Sequence, residues 1–371
     1  MKAHKVLRTM VVDSSLVFRK IIGDLLLEIE GVELVGQAPN GKIAIQKAQA
    51  LGPDLMILDM KLQDMSGLEV LRQLRELKLA CRVIVVSAAS PNMSLLTMKA
   101  LSAGAFEFVL KPEAETIEET RQRLESDFKL AVQALIESLR IRSSMNIGGA
   151  ADSSASAAKS AAHNITVGAT VKSPSGRSIE LIVIGISTGG PPALAEVFSV
   201  IKEPLSVPVI IVQHIPRFFS EALAASIRER SGLWVEEAKD WMPLEPGHIY
   251  LAPGGEHLKL IRGSNPGSFV LRLTDDPPEN NCRPSVDYLL RSVVANFSGR
   301  VGLFMMTGMG TDGLAGARLV RSAGGYIVAQ DAQSCVVYGM PRAVVEAGLA
   351  DEVLSLSGIA SAIQRLPKRV V

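Results

Sequence analysis

Short apolar runs of strand length alternate with helical periodicity along most of this chain, and that alternation limits its fold more than any other feature. The runs stand at Thr9–Val12, Glu33–Ala38, Leu55–Leu58, Val83–Ser87 and Phe106–Leu110. They resume at Leu181–Ile184, Val209–Val212, His248–Ala252, Phe269–Leu273, Val301–Met306 and Tyr326–Ala329. Strands that alternate with helices pair in parallel and are covered by helices on both faces. The expectation is therefore α/β throughout: a doubly wound N-terminal unit and a C-terminal unit with a mostly parallel sheet.

The alternation is interrupted once. Residues 143–178 are rich in Ala, Ser and Gly and show no large apolar periodicity, the composition of a flexible linker. The units are thus 1–142 and 179–371. Just before the break, "ETIEETRQRLESDFKLAVQALIESLRIR" spaces Leu124, Phe128, Leu135 and Leu139 as one face of a long amphipathic helix with an acidic start.

With 371 residues, 47% of them hydrophobic, each unit can bury a core. No uncharged apolar run approaches the about eighteen residues of a membrane span, so no membrane insertion is expected. The apolar start before Asp13 is too short for a signal peptide. A net charge of +1 without a basic tract gives no nucleic-acid footprint. The three cysteines, Cys81, Cys282 and Cys335, are scattered, lack metal-ligand spacing, and suit unpaired thiols in a reducing cytoplasm.

In the first unit, polar residues stand where strands end: Asp13 after the first, Asp59 after the third, Ser87 on the fourth and Lys111 after the fifth. In an open α/β sheet that rim binds ligands. Two carboxylates, a hydroxyl and a lysine there suit Mg²⁺ and a phosphoryl group, with Asp13 and Asp59 as metal ligands. The segments "VVDSSLVFRKIIGDLL", "DLMILDMKLQDMSGLEVLRQL", "VIVVSAAS" and "AGAFEFVLKP" resemble a response-regulator receiver domain, a flavodoxin-like fold, over residues 5–112. The resemblance implies that Asp59 is the phospho-acceptor, with a histidine kinase as phosphodonor. It also implies Ser87 as the switch hydroxyl and Lys111 as the partner lysine. One position departs: receivers carry two adjacent acids after the first strand, and here Asp13 is followed by Ser14. A neutral hydroxyl in place of the second acid predicts weaker Mg²⁺ binding and impaired phosphorylation.

The second unit opens with "ELIVIGISTGGPPALAEVF", in which residues 185–189 fit G-x-S-x-G between a strand and a helix beginning near Ala193. Such an elbow exposes the Ser187 hydroxyl at the sheet edge, with the Thr188 amide as an oxyanion donor. The motif alone is equally compatible with a glycine-rich anion loop in which the serine is only a cap.

A serine nucleophile needs a base. His214 directly follows the strand "VPVIIVQ" and shares the rim with Ser187, whereas His248 opens its strand at the opposite edge and His257 follows a turn. The base needs a carboxylate to hold its tautomer. Asp312 emerges after the strand Val301–Met306. Asp287 reads as a helix-dipole partner, and Asp275 and Asp276 precede a Pro-Pro turn.

The set "GISTGGPPAL", "VIIVQHIP", "YLAPGGEHL", "NCRPSVDYLLRS" and "MTGMGTDGLAGA" resembles the catalytic domain of chemotaxis receptor methylesterases, the CheB family, over about residues 179–368. The resemblance implies Ser187 as nucleophile, His214 as base, Asp312 as orienting acid and the Met309 amide as an oxyanion donor. It implies demethylation of glutamate methyl esters on chemoreceptors in the cytoplasm, deamidation of receptor glutamines, no organic cofactor, and a receiver that covers the cleft until phosphorylated. Arg283 is a candidate contact for receptor carboxylates. The competing expectation is a non-catalytic response regulator whose second unit only binds a partner.

Overall fold

The computed structural model describes residues 6–113, 116–147, 179–297 and 300–365. The expected linker 143–178 lies mostly outside them.

The N-terminal unit runs β1 (Leu7–Val12), α1 (Leu16–Leu27), β2 (Val32–Ala38), α2 (Gly41–Leu51), β3 (Leu55–Asp59), α3 (Gly67–Glu76), β4 (Arg82–Ala88), α4 (Pro91–Ser102), β5 (Glu107–Lys111) and α5 (Ile117–Ile147). Its five strands are parallel in the order β2-β1-β3-β4-β5, so the chain reverses direction across the sheet beside β1. That switch opens a crevice at the carboxyl ends of β1 and β3, where Asp13 and Asp59 stand. The central strands are apolar on both faces because helices cover both. Polar side chains cap the helices: Ser15, Asn40, Ser66 and Ser90 each accept a backbone N–H of the first turn. In α5, Leu124, Phe128 and Leu135 are buried as expected, but Leu139 is 37% exposed. The helix continues to Ile147, past the point where composition begins to change.

The C-terminal unit continues with β6 (Leu181–Ile186), α6 (Gly190–Ser199), β7 (Val209–Gln213), α7 (Phe219–Ser231), β8 (Trp234–Glu237), β9 (Met242–Pro243), β10 (His248–Leu251), β11 (His257–Arg262) and β12 (Phe269–Thr274). It ends with α8 (Val286–Asn296), β13 (Val301–Met305), α9 (Leu314–Ser322), β14 (Tyr326–Gln330), α10 (Met340–Glu346), β15 (Glu352–Leu354) and α11 (Leu356–Arg365). A seven-stranded parallel sheet has the order β15-β14-β13-β6-β7-β10-β8. A small antiparallel sheet, β11-β12-β9, packs β11 against α8.

The expected strands are present with ends shifted by one or two residues. β8, β9, β11 and β15 were not anticipated: they are short or lie at sheet edges, where mixed polarity hides strand character. α6 starts at Gly190 rather than near Ala193, because Pro191 and Pro192 occupy its first turn, where the missing amides are unneeded.

The two units touch. α4 packs on α6 and α7, and Met98 and Leu101 of α4 share one apolar cluster with Phe219 and Leu223 of α7. The Phe108 ring of β5 stacks on Phe219 at 4.7 Å between centroids. Val337 of the C-terminal unit, with Val336 and Met309 beside it, joins the cluster built by α5 and the receiver sheet. Arg342 of α10 faces Glu137 of α5 at 3.7 Å.

Candidate active site

β6 and β7 are neighbours in register, with Ile186 opposite Gln213. Ser187 and His214, each the next residue, therefore leave adjacent strands at the same rim, where strand spacing is about 4.8 Å. The His214 amide donates to the Ile186 carbonyl at 3.1 Å, and Gln213 Nε2 donates to the Ser187 carbonyl at 2.9 Å, tying the two turns together. β13, on the other side of β6, delivers the loop 306–313: the Ser187 amide donates to the Thr307 carbonyl at 2.9 Å. Gly308 has to be glycine here, since a Cβ would lie 2.7 Å from Ser187 Cβ. Gly189 turns the elbow at φ +75, and a Cβ there would lie 2.5 Å from Val336.

His214 Nε2 and Asp312 Oδ2 are 2.8 Å apart. A carboxylate can only accept, so Nε2 carries the proton and Nδ1 is the basic nitrogen. Asp312 is 3% exposed and is held by more than the histidine. Val286 N–H (2.7 Å), Ser285 Oγ (2.8 Å), Asn280 Nδ2 (3.0 Å) and Asp287 N–H (3.2 Å) all donate to it. Burial by itself would raise its carboxyl, but the His214 hydrogen bond and charge, with the Val286 and Asn280 donors, hold it well below the usual carboxylate range. For His214 the balance runs the other way. Burial would lower it, yet Asp312 and the neighbouring Cys282 push it up to about 9.

Ser187 is at the rim but is not bonded to the imidazole. The neighbour of Nδ1 is Cys282 Sγ at 3.5 Å, and among the described residues the Ser187 hydroxyl donates to no protein acceptor. The amides of Thr188 and Met309 are likewise without a protein acceptor among the described residues.

Of the other candidates, Asp287 serves the fold. It is buried and accepts from the Gly316 N–H (2.6 Å) and Asn280 Nδ2 (3.1 Å). His257 opens β11, fully buried, and stacks on Tyr288 at 4.2 Å. His248 lies at the opposite end of its strand, near Glu236 and Glu245. Arg283 is spent on the Asp275 and Asp276 carbonyls at 2.9 and 3.1 Å. Sequence reasoning missed Cys282, Asn280 and Ser285. All three belong to an irregular segment between β12 and the first turn of α8, without periodicity to flag them.

In the N-terminal unit the predicted constellation is assembled. Lys111 Nζ bridges Asp13 Oδ2 (2.7 Å) and Asp59 Oδ2 (3.1 Å) and lies 4.1 Å from the Phe18 ring centroid. Burial and the Asp13 carboxylate push Asp59 upward, partly offset by Lys111. Buried Ser87 accepts a hydrogen bond from Thr97 of α4 at 2.8 Å. Two carboxylates are the usual protein share of a Mg²⁺ shell, so these residues fit the ion, with the neutral Ser14 beside them.

Comparison with known proteins matches residues 9–123 to the response regulator receiver domain and residues 182–363 to the CheB methylesterase domain. A protein-glutamate methylesterase/protein-glutamine glutaminase of Desulfotalea psychrophila is 41% identical over 97% of this chain and 98% of its own length. The chain belongs to the CheB methylesterase family. A second member, from Nocardioides sp., is 38% identical over 97% of this chain and 95% of its own length. The crystal structure of the Thermotoga maritima CheB methylesterase catalytic domain aligns with 51% of this chain and 99% of that one, at 37% identity and a TM-score of 0.49. Among the described residues of this family member, no helix is long and apolar enough to cross a membrane.

Proposed function

We propose that this chain is a serine hydrolase that demethylates glutamate methyl esters on chemoreceptors and deamidates receptor glutamines in the cytoplasm, controlled by its receiver. The observation that carries this reading is the 2.8 Å His214–Asp312 pair, set at the rim that also bears the Ser187 elbow. The relatives named protein-glutamate methylesterase/protein-glutamine glutaminase, similar over nearly their whole length, support it.

In this reading the rim residues divide the reaction between them. Ser187 Oγ attacks the ester carbonyl while His214 Nδ1 takes its proton. Negative charge develops on the carbonyl oxygen and is met by the Thr188 and Met309 amides. Loss of one such donor typically lowers turnover about 10²–10³-fold. His214 returns the proton to the departing methoxide, releasing methanol. Water, deprotonated by Nδ1, then cleaves the acyl-enzyme to free glutamate. Throughout, Asp312 keeps the ring oriented and stabilises the imidazolium.

In the receiver, Asp59 is the phospho-acceptor, fed by a histidine kinase. Mg²⁺, held by Asp13 and Asp59, would neutralise the incoming phosphoryl oxygens. Lys111 pairs with the charged group, and Ser87 reports it to α4 through Thr97. Because α4 packs on α6 and α7, a shift of that helix reaches the catalytic unit directly.

Methanol release from methylated receptor membranes tests the reading. The wild-type chain releases methanol and Ser187→Ala, folded normally, does not. Retention of more than a few per cent of the rate would remove Ser187 from the nucleophile's role.

A further inference from the structure

Gln213 closes β7, one residue before His214, and its buried side chain reaches the Ser187 elbow. Its Nε2 donates twice, to the Ser187 carbonyl at 2.9 Å and to the His214 carbonyl at 3.0 Å. Both amide hydrogens are therefore in use, and the flipped orientation would set an oxygen against two carbonyls. Oε1, by contrast, is buried and finds no hydrogen-bond partner among the described residues. An orphan acceptor of that kind lowers stability. What the orientation secures in return is the pair of carbonyls. Gly190 leaves room for it, since a Cβ there would lie 1.9 Å from Oε1.

A held carbonyl aims the amide across its own peptide. The peptide joining Ser187 to Thr188 is trans and planar, so its C=O and N–H point in opposite directions. Gln213 Nε2 and the Gly190 N–H, the latter at 2.8 Å, both grip the Ser187 carbonyl, which fixes the direction of the Thr188 N–H. The Gly308–Met309 peptide is fixed in the same way: the Gly308 carbonyl accepts from the Gly339 N–H at 3.0 Å and the Met340 N–H at 2.9 Å. Each proposed oxyanion donor is thus aimed by two hydrogen bonds on the far side of its peptide. Three of the four donors are backbone amides, and the fourth is the Gln213 side chain. We propose that Gln213 is a positioning residue for the reaction, setting with one nitrogen both the Thr188 oxyanion donor and the backbone of the base. The second bond serves His214 directly. The His214 amide donates to the Ile186 carbonyl at 3.1 Å and its carbonyl is held by Gln213, so both peptides that flank the imidazole are fixed. This inference rests on the methylesterase reading for which amides meet the oxyanion. It places the effect on kcat rather than on KM, because charge on the carbonyl oxygen develops only in the transition state.

The test is Gln213→Met in the full-length chain, which keeps the side chain's length and removes both donors. Methanol release is measured over a range of methylated-receptor concentrations, with active sites counted by titration of Ser187 with a fluorophosphonate. kcat should fall by about ten- to a hundredfold, less than or equal to the about 10²–10³ typical for outright loss of an oxyanion donor, with KM within about twofold of wild type. The second-order rate of fluorophosphonate labelling, in which negative charge builds on a phosphoryl oxygen facing the same two amides, should drop by a similar factor. Gln213→Glu keeps the shape of the side chain and cannot donate when ionised. It should lose at least as much, and it carries the test if the methionine variant does not fold. A folded variant with kcat within about twofold of wild type overturns the proposal, and so does a raised KM at unchanged kcat, which is the signature of lost uniform binding. If labelling slows as expected but no form of the chain releases methanol, the methylesterase reading fails and the positioning role stands.

Discussion

Cys282 Sγ lies 3.5 Å from His214 Nδ1, the nitrogen that receives the Ser187 proton in the proposed reaction. A thiol is a weak donor, so the contact occupies the base without holding it firmly. It also makes Cys282 a chemical handle on the catalytic centre. Burial pushes the Cys81 thiol up to about 12 and raises Cys335 as well, so both are poor nucleophiles near neutral pH. Iodoacetamide should therefore inactivate the enzyme by carboxamidomethylating Cys282, which sets a bulky group against the imidazole. Cys282→Ala should keep its activity and resist the reagent. Peptide mapping with residual activity checks this, and full activity after stoichiometric alkylation of Cys282 would contradict it.

Asp312 accepts from five donors, and the amide of Asn can replace only one of its two oxygens. In Asp312→Asn, an NH₂ group must face either His214 and Val286 or the Ser285–Asn280–Asp287 set. The first choice puts His214 in the wrong tautomer, which in triads lowers kcat by about 10⁴-fold. Either choice leaves buried donors unpaired, for a further loss of about 1–3 kcal/mol in stability. Methanol release and urea unfolding of the same preparation read the two effects separately. A variant within tenfold of wild-type kcat would show that Asp312 does not orient the base.

As the base of the proposed reaction, His214 must be neutral to act. Its folded value of about 9, against an ordinary 6.5, means that the protonated ring is the form the fold favours. kcat/KM should therefore climb by roughly tenfold per pH unit from neutrality and level off near pH 9, because the profile reports the base of the free enzyme. Stability carries the opposite sign. A raised value contributes stability that is complete below pH 6.5 and is lost as pH rises through about 9, so the unfolding midpoint should fall over the interval in which activity rises. A profile already flat at pH 7 would refute the assignment.

Ser14 stands where a second receiver acid is expected, beside Asp13 and Asp59. Restoring a carboxylate with Ser14→Asp should lower, several-fold, the Mg²⁺ concentration that half-saturates Asp59 phosphorylation by a small phosphodonor. A carboxylate adds ligand charge that a hydroxyl lacks. An unchanged Mg²⁺ requirement would mean that position 14 does not contribute to the metal shell.

How much of this was legible in the chain follows from where each residue sits. Ser187, His214 and Asp312 stand out in the sequence because a long apolar run stops just before them, or a few residues before in the case of Asp312. Such runs are strands whose ends share a rim. Asp13, Asp59, Ser87 and Lys111 stand out in the same way. The start of α6 was missed because two prolines read as a loop until the Gly189 turn was seen to precede them. Cys282, Asn280 and Ser285 were invisible, since an irregular segment has no period to betray its direction.

Sequence alone determined the two α/β units, the rim residues of each and their chemical class, because hydrophobic periodicity and strand ends are local properties. Only the tertiary structure decided that His214 Nε2 faces Asp312 while Nδ1 faces Cys282, and that the Phe108 ring of the first unit stacks on Phe219 of the second. His214 and Asp312 are 98 positions apart, and Phe108 and Phe219 belong to different units. Contacts at that separation are fixed by how whole sheets and helices pack, and no local pattern of residues carries that information.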